Sequence, residues 1–276
     1  MFSTEYYYLV AGLRDWTLDS DTKGFDVREI IDEIVGELTK SDREAVRMLY
    51  AYYDCENIIA RRAKRERHNQ LGNLSAEQIA EVLEERNYSL LTPAVAKCVK
   101  LYVEADDEEV TLDASFERAI FEAYYRDLAE SKVSFLKEWG AFDRNLRNIA
   151  AAIAAREAGR VVADVTVGDG EIVEQLKRST AADFGLRGEL PYVDSVISAV
   201  SDEKNIVEKE RKIDAIRWAE AEAMTSFDFF TINFILSYLV KVNIVARWTL
   251  LSPEVGREML NRLIKELDAK ELVNKQ

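Results

Sequence analysis

Tyr53-Asp54-Cys55-Glu56-Asn57-Ile58-Ile59-Ala60-Arg61 closes a stretch that reads as a long, aromatic-rich helix, and the chain repeats it. Further on stands Tyr238-Leu239-Val240-Lys241-Val242-Asn243-Ile244-Val245-Ala246-Arg247. Between them lies Phe142-Asp143-Arg144-Asn145-Leu146-Arg147-Asn148-Ile149-Ala150-Ala151-Ala152-Ile153-Ala154-Ala155-Arg156. The outer two share Asn-Ile-x-Ala-Arg. The middle one keeps Asn148-Ile149 but sets its arginine, Arg156, two turns on instead of one. The three asparagines are 91 and 95 residues apart, close to a third of the 276-residue chain. Capping chemistry echoes as well: Leu74-Ser75-Ala76-Glu77 follows the first segment and Leu251-Ser252-Pro253-Glu254 the third. A fixed period is the mark of repeated structural units. The pattern predicts one domain over 1–276, built of approximate repeats 1–105, 106–195 and 196–276.

Asn and Arg four apart share a helix face. Asparagine is a poor mid-helix residue because its amide competes for backbone groups. Each repeat asparagine is therefore expected to be held by a hydrogen bond to a neighbouring helix, to a partner protein, or to both. Asn57, Arg61, Asn148, Arg156, Asn243 and Arg247 are the candidate interaction residues.

Outward from these segments the chain reads as helix. Three prolines and eleven glycines leave few breakers. Val27–Leu38 carries an apolar stripe with Asp26 as its N-cap. A helix is predicted from Ser41 or Asp42 to about Arg65. Ser75-Ala76-Glu77-Gln78 is a capping box opening a helix to about Arg86, and Thr92-Pro93 opens the next with proline at the first position. Further helices are predicted over 115–129, 131–158, 170–179, 192–199, 202–225, 227–250 and 253–272. β-Branched residues between glycines predict a strand at Val161–Val167, and Tyr6–Val10 is a weaker strand candidate. The acidic run 105–109 reads as a solvated loop. The fold class is therefore all-α, mostly helical, with at most a small β element and three segments around a pseudo-three-fold axis.

Composition excludes several chemistries. Charged residues are 32% and hydrophobic ones 48%, a globular balance. The formal charge of −14 opposes nucleic-acid binding and docking on anionic lipid. A single histidine, His68, rules out sites that need two. Cys55 and Cys98 are too few for a cysteine zinc site and too far apart for a redox pair, and they read as reduced cytoplasmic thiols. The opening MFSTEYYYLVAGL lacks the basic and long apolar regions of a signal peptide. The apolar run Phe229–Val240, about twelve residues, falls short of the ~20 that span a bilayer and reads as a buried helix. No cofactor, metal or catalytic constellation is expected. His68 sits at a charged helix end, and Glu220 and Glu222, two apart, do not face each other on a helix.

The triple pattern of aromatic helix, Asn-Ile-x-Ala-Arg and capped short helix resembles the rotor-cap subunit of V-type and archaeal-type ATPases, as found in the eukaryotic pump and in its archaeal counterpart. The likeness is closest over Phe234–Trp248. The opening Phe2–Leu13 is similar to a bacterial family associated with V-type ATPase operons. The resemblance implies a funnel of three helical segments that sits on the membrane ring of proteolipids, grips the foot of the central axle and passes torque without chemistry of its own. It also implies a cytoplasmic location, peripheral to the membrane through protein contacts. This chain departs from the family in being shorter and in lacking an arginine four places after Asn148.

Two other readings stand beside it. One is a helical scaffold or adaptor unrelated to ATPases. The other is an enzyme that binds a nucleotide or S-adenosylmethionine at Gly168-x-Gly170, where the sequence reads as strand, glycine turn and helix in order. Val173 occupies the place of the third glycine of such a motif.

Overall fold

The computed structural model describes residues 4–18, 25–108, 110–112, 114–201 and 205–250. Among the described residues every regular element is a helix: α1 (Tyr7–Gly12), α2 (Val27–Glu37), α3 (Lys40–Arg62), α4 (Ala76–Glu84), α5 (Pro93–Asp107), α6 (Phe116–Glu130), α7 (Ser134–Glu157), α8 (Glu171–Arg178), α9 (Val193–Val200), α10 (Ile206–Ala223) and α11 (Ile232–Leu250). Single 3-10 turns lie at Tyr88–Leu90 and Val162–Asp164. The all-α expectation holds. The helix predicted over 253–272 and the cap at Ser252 lie outside the described residues.

Local sequence sets the helix starts. Asp26 accepts from the Arg28 and Glu29 amides, Thr39 from Asp42, Ser115 from Arg118 and Asn205 from Glu208. Ser75 and Gln78 form the full reciprocal box. Thr92 makes no cap bond. The buried Asp127 of α6 replaces it, accepting from Ala94 N at 2.9 Å and Val95 N at 3.2 Å. A carboxylate at a helix N-terminus satisfies orphan amides and meets the positive end of the dipole, so this cap also ties α5 to α6.

Many helices pack on their neighbours in the chain, while α6 also packs on α3 and α9 on α7. α4 packs on α3 and α8 on α7. α6 packs on α7 and α10 on α11, while α5 meets α6 and α9 meets α10. Gly140 lets α6 and α7 approach, since a Cβ there would fall 2.9 Å from Leu128 Cβ. The last described helix returns to the first units: α11 packs on α2, α3 and α7. Tyr6 N–H donates to Phe230 O at 2.7 Å, and the Tyr238 hydroxyl donates to Arg14 O at 3.0 Å. Of the apolar run 229–240, only the part from Ile232 on enters α11, where Ile235, Leu236, Leu239 and Val240 are buried; Phe229 and Phe230 precede the helix and are exposed, so the helix expected from 227 starts at 232. No described helix is long and apolar enough to cross a membrane.

Three local expectations are corrected. Val161–Val167 is not a strand; it holds a 3-10 turn at Val162–Asp164, followed by a turn residue and two residues without regular structure. Tyr6–Val10 falls largely in α1. A strand needs a ladder partner, and β propensity records only fit to a pleated surface; among the described residues there is none. The acidic run does not open a loop at 105. α5 continues to Asp107, with Asp106 paired to Arg62 and Asp107 to Arg86, both at 2.6 Å.

Candidate functional site

Asn57 and Asn148 occupy buried positions on α3 and α7 and perform the same act. Asn57 Nδ2 donates to Asn69 O at 3.0 Å while its Oδ1 accepts from Asn69 N at 2.6 Å. Asn148 Nδ2 donates to Val167 O at 2.9 Å while its Oδ1 accepts from Val167 N at 2.8 Å. Each amide clamps both backbone groups of one residue in the loop that leads to the next short helix. The act needs a side chain with a donor and an acceptor on one planar group. The clamp accounts for asparagine in mid-helix.

The first loop is pressed close. A Cβ on Gly72 would lie 2.8 Å from both Asn57 Nδ2 and Asp54 Oδ1, so only glycine seats there. Asp54 holds the same loop through Leu74 N at 3.0 Å and Asn73 Nδ2 at 2.6 Å. Burial raises the Asp54 carboxyl, against the lowering effect of these bonds. In the second loop Gly168 and Gly170 take φ of +82° and +102°, which favour glycine. That requirement explains the Gly-x-Gly pair. The strand that a nucleotide or S-adenosylmethionine site requires before such a turn is replaced here by the 3-10 turn at Val162–Asp164.

Asn243 bonds differently. It is half-buried on α11 and accepts from the Tyr50 hydroxyl of α3 at 2.9 Å. The arginines diverge further. Arg61 makes an exposed pair with Glu84 at 2.6 Å. Arg156 donates to Ser179 O and to Ala181 O, and stacks over the buried Phe184 ring at 3.6 Å. Arg247 enters a large polar assembly between the helices.

That assembly escapes a sequence reading. Asp143 on α7 accepts from Arg147 Nε and the Tyr125 hydroxyl, both at 2.8 Å, and from Arg217 Nε at 3.3 Å. Arg217 on α10 also donates to Asp214 at 3.0 Å. Asp214 further accepts from Arg247 Nη1 and from Trp248 Nε1, each at 3.0 Å. Arg247 donates its second amino group to Glu210. Three carboxylates thus meet three guanidinium groups across α7, α10 and α11, with Tyr125 joining from α6. Arg147 also lies 4.5 Å over the Tyr52 ring of α3. Burial opposes the charge on Asp143, but Arg147, Arg217 and their bonds outweigh it and hold the carboxyl below its ordinary value. Asp143 and Arg147 stand four apart on one helix face, the spacing of an ordinary surface pair. The available signal was position: Asp143 sits in phase with Leu136, Trp139 and Leu146, all core residues.

The arrangement is charge-balanced and mutually bonded, which suits a structural role. Among the described residues no group of three or more His, Cys, Asp or Glu side chains is placed to hold a metal ion. Burial raises the Cys55 thiol well above its ordinary value and pushes Cys98 up to about 11, so neither is an activated nucleophile.

A family model described as protein of unknown function (DUF2764) matches residues 3–271, and the chain belongs to that family. Comparison with curated proteins and with solved structures gives no match.

Proposed function

We propose that this chain is a non-catalytic central-stalk subunit of a V/A-type ATPase, coupling the rotor axle to the membrane proteolipid ring from the cytoplasmic face. The observation that carries the reading is the paired clamp. Asn57 and Asn148, on long helices and 91 residues apart in sequence, grip a downstream loop residue through the same two hydrogen bonds. Around each clamp the helices follow one order: long helix, clamped loop, short helix, then a helix that packs on the next unit. The third unit begins as the second does, with α10 packed on α11 as α6 is on α7, and carries Asn243 on its long helix. The return of α11 to α2 and α3 supports closure of three units around one axis. The rotor-cap resemblance of the Asn-Ile segments supplies the assignment to the ATPase.

A torque-passing subunit must resist shear between its helices. The ion network that joins α7, α10 and α11 supports that role, because sliding any one helix would separate buried charges. The test is gentle solubilisation of membranes from the native cell, followed by pull-down through a tag on this chain. Axle subunits and proteolipids should come with it, and the yield should fall as salt rises, because an acidic surface pairs with basic groups. A pull-down that brings neither axle subunits nor proteolipids, or an intact ATPase, head and ring together, isolated separately from the same membranes without this chain, would overturn the proposal.

A further inference from the structure

An aromatic ledge stands where α1 meets the segment between α10 and α11. The Tyr7 and Phe230 rings are 4.6 Å apart, and the backbone bond from Tyr6 to Phe230 holds the two segments together. Tyr8 is 96% exposed, Phe227 94%, Phe229 58% and Tyr7 51%. Beside them Phe229, Phe234 and Tyr238 line a groove of about 170 Å³, together with Glu222 and Lys241. So many large rings left to water in one neighbourhood are more than scattered surface residues account for.

Charge decides what can cover the ledge. Glu5 adjoins the tyrosines in sequence, and Asp228 stands between Phe227 and Phe229. Glu222 lines the groove, and the carboxylates of Asp15 and Glu33 act on the Tyr238 hydroxyl. Within the two segments that build the ledge, residues 4–15 and 222–234, Glu5, Asp15, Glu222 and Asp228 stand against Arg14, which stacks over Trp16; Lys241 of α11 pairs with Glu222 at 3.0 Å. The rim is net acidic on a chain of charge −14. A second copy would bring a like-charged rim against it, and anionic lipid would be repelled. Rings in the middle with carboxylates around them complement an apolar stripe flanked by ammonium or guanidinium groups.

We propose that the ledge formed by Tyr7, Tyr8, Phe227, Phe229 and Phe230 docks a helix of a partner protein whose apolar stripe is flanked by lysine or arginine. The apolar stripe covers the rings and the basic flanks meet Glu5 and Asp228. This docking surface does not depend on the ATPase reading.

The experiment uses the full-length chain and three synthetic helices, each roughly five turns long. One carries an amphipathic Leu/Lys pattern, one the same residues scrambled, and one Leu/Glu in the first pattern. Binding is read by fluorescence anisotropy, against the wild type and a Phe227→Ser/Phe229→Ser variant whose substituted side chains are exposed and whose circular dichroism should match the wild type. The Leu/Lys helix should bind best, lose about tenfold or more in affinity on the double substitution, and weaken as salt rises. Equal binding of the scrambled helix, or an unchanged affinity of the variant, overturns the proposal. So does preference for the Leu/Glu helix. Ring-dependent dimerisation in place of peptide binding, or ring-dependent binding to neutral phosphatidylcholine vesicles with no peptide binding, also overturns it.

Discussion

Asp214→Ala is expected to cost about 3 kcal/mol of folding free energy. The side chain of Asp214 is 2% exposed and accepts from Arg217, Arg247 and Trp248, each at 3.0 Å. Removing one partner of a buried ion pair costs about 3–5 kcal/mol, because the remaining charge loses its compensation. Two features hold the figure at the lower end. Arg217 keeps Asp143 at 3.3 Å, and Arg247, 40% exposed, keeps Glu210 and can turn toward water. The assay is urea unfolding followed by far-UV circular dichroism and by tryptophan fluorescence. Coincidence of the two transitions licenses a single free energy. A second variant separates loss of a carboxylate from loss of packing. In Asp214→Leu/Arg247→Met the stranded charge is removed along with its partner, and stability should recover by at least about 1 kcal/mol relative to Asp214→Leu alone. A loss below about 1 kcal/mol in Asp214→Ala, the range of exposed pairs, would refute the claim that this carboxylate works as a dry, shared acceptor.

Asn148→Leu should cost about 1–3 kcal/mol by orphaning both backbone groups of Val167, and thermal unfolding checks it. Gly72→Ala should destabilise by about 1–3 kcal/mol in the same assay, because its methyl group must displace Asn57 and Asp54. The Asp143 carboxyl is lowered in the folded state, so its contribution is present above the ordinary carboxylate value of about 3.9 and is lost as pH falls through the folded value. The stability gap between wild type and Asp143→Asn should accordingly narrow as pH is lowered below about 4 in a series of melts. Cys55 and Cys98 should react slowly with a thiol-specific disulfide reagent near neutral pH and rapidly in urea, as absorbance at the released thiolate will report. The isolated chain should neither hydrolyse ATP nor bind S-adenosylmethionine, and calorimetric titration with each ligand tests it.

Much of the fold is written locally. Asp26, Ser75, Ser115 and the Thr92-Pro93 pair mark helix starts that the chain uses, because caps act within a few residues. The apolar run 229–240 announced a buried helix, and 235–240 is buried, although Phe229 and Phe230 at its start are exposed. Three things were not legible. Val161–Val167 has strand composition, yet a strand exists only with a partner, and Asn148 meets the Val167 backbone instead. The true cap of α5 is Asp127, 33 positions beyond Ala94, where no local rule looks. The ion network joins Asp143 to Arg217 across 74 positions, and a charge that looks solvated in a window is buried only when another helix arrives. For the candidate residues, the sequence marked the three asparagines as needing a partner on a neighbouring helix; Asn243 has one in Tyr50, whereas Asn57 and Asn148 bind a loop backbone of their own unit. The sequence carried no sign that Arg61, Arg156 and Arg247 would do three different jobs.

The return of α11 onto the opening helices has a consequence for synthesis. The Tyr238 hydroxyl reaches Arg14 across 224 positions, and Asn243 receives Tyr50 across 193. A ribosome adding about 5–20 residues per second needs on the order of ten to forty seconds to cover that gap. Through that interval α2 and α3 stand in the cell with the surface that α11 will cover still open. The nascent chain therefore carries exposed aliphatic surface until α11 emerges, and a chaperone that shields it should bind early translation intermediates and leave when that helix appears.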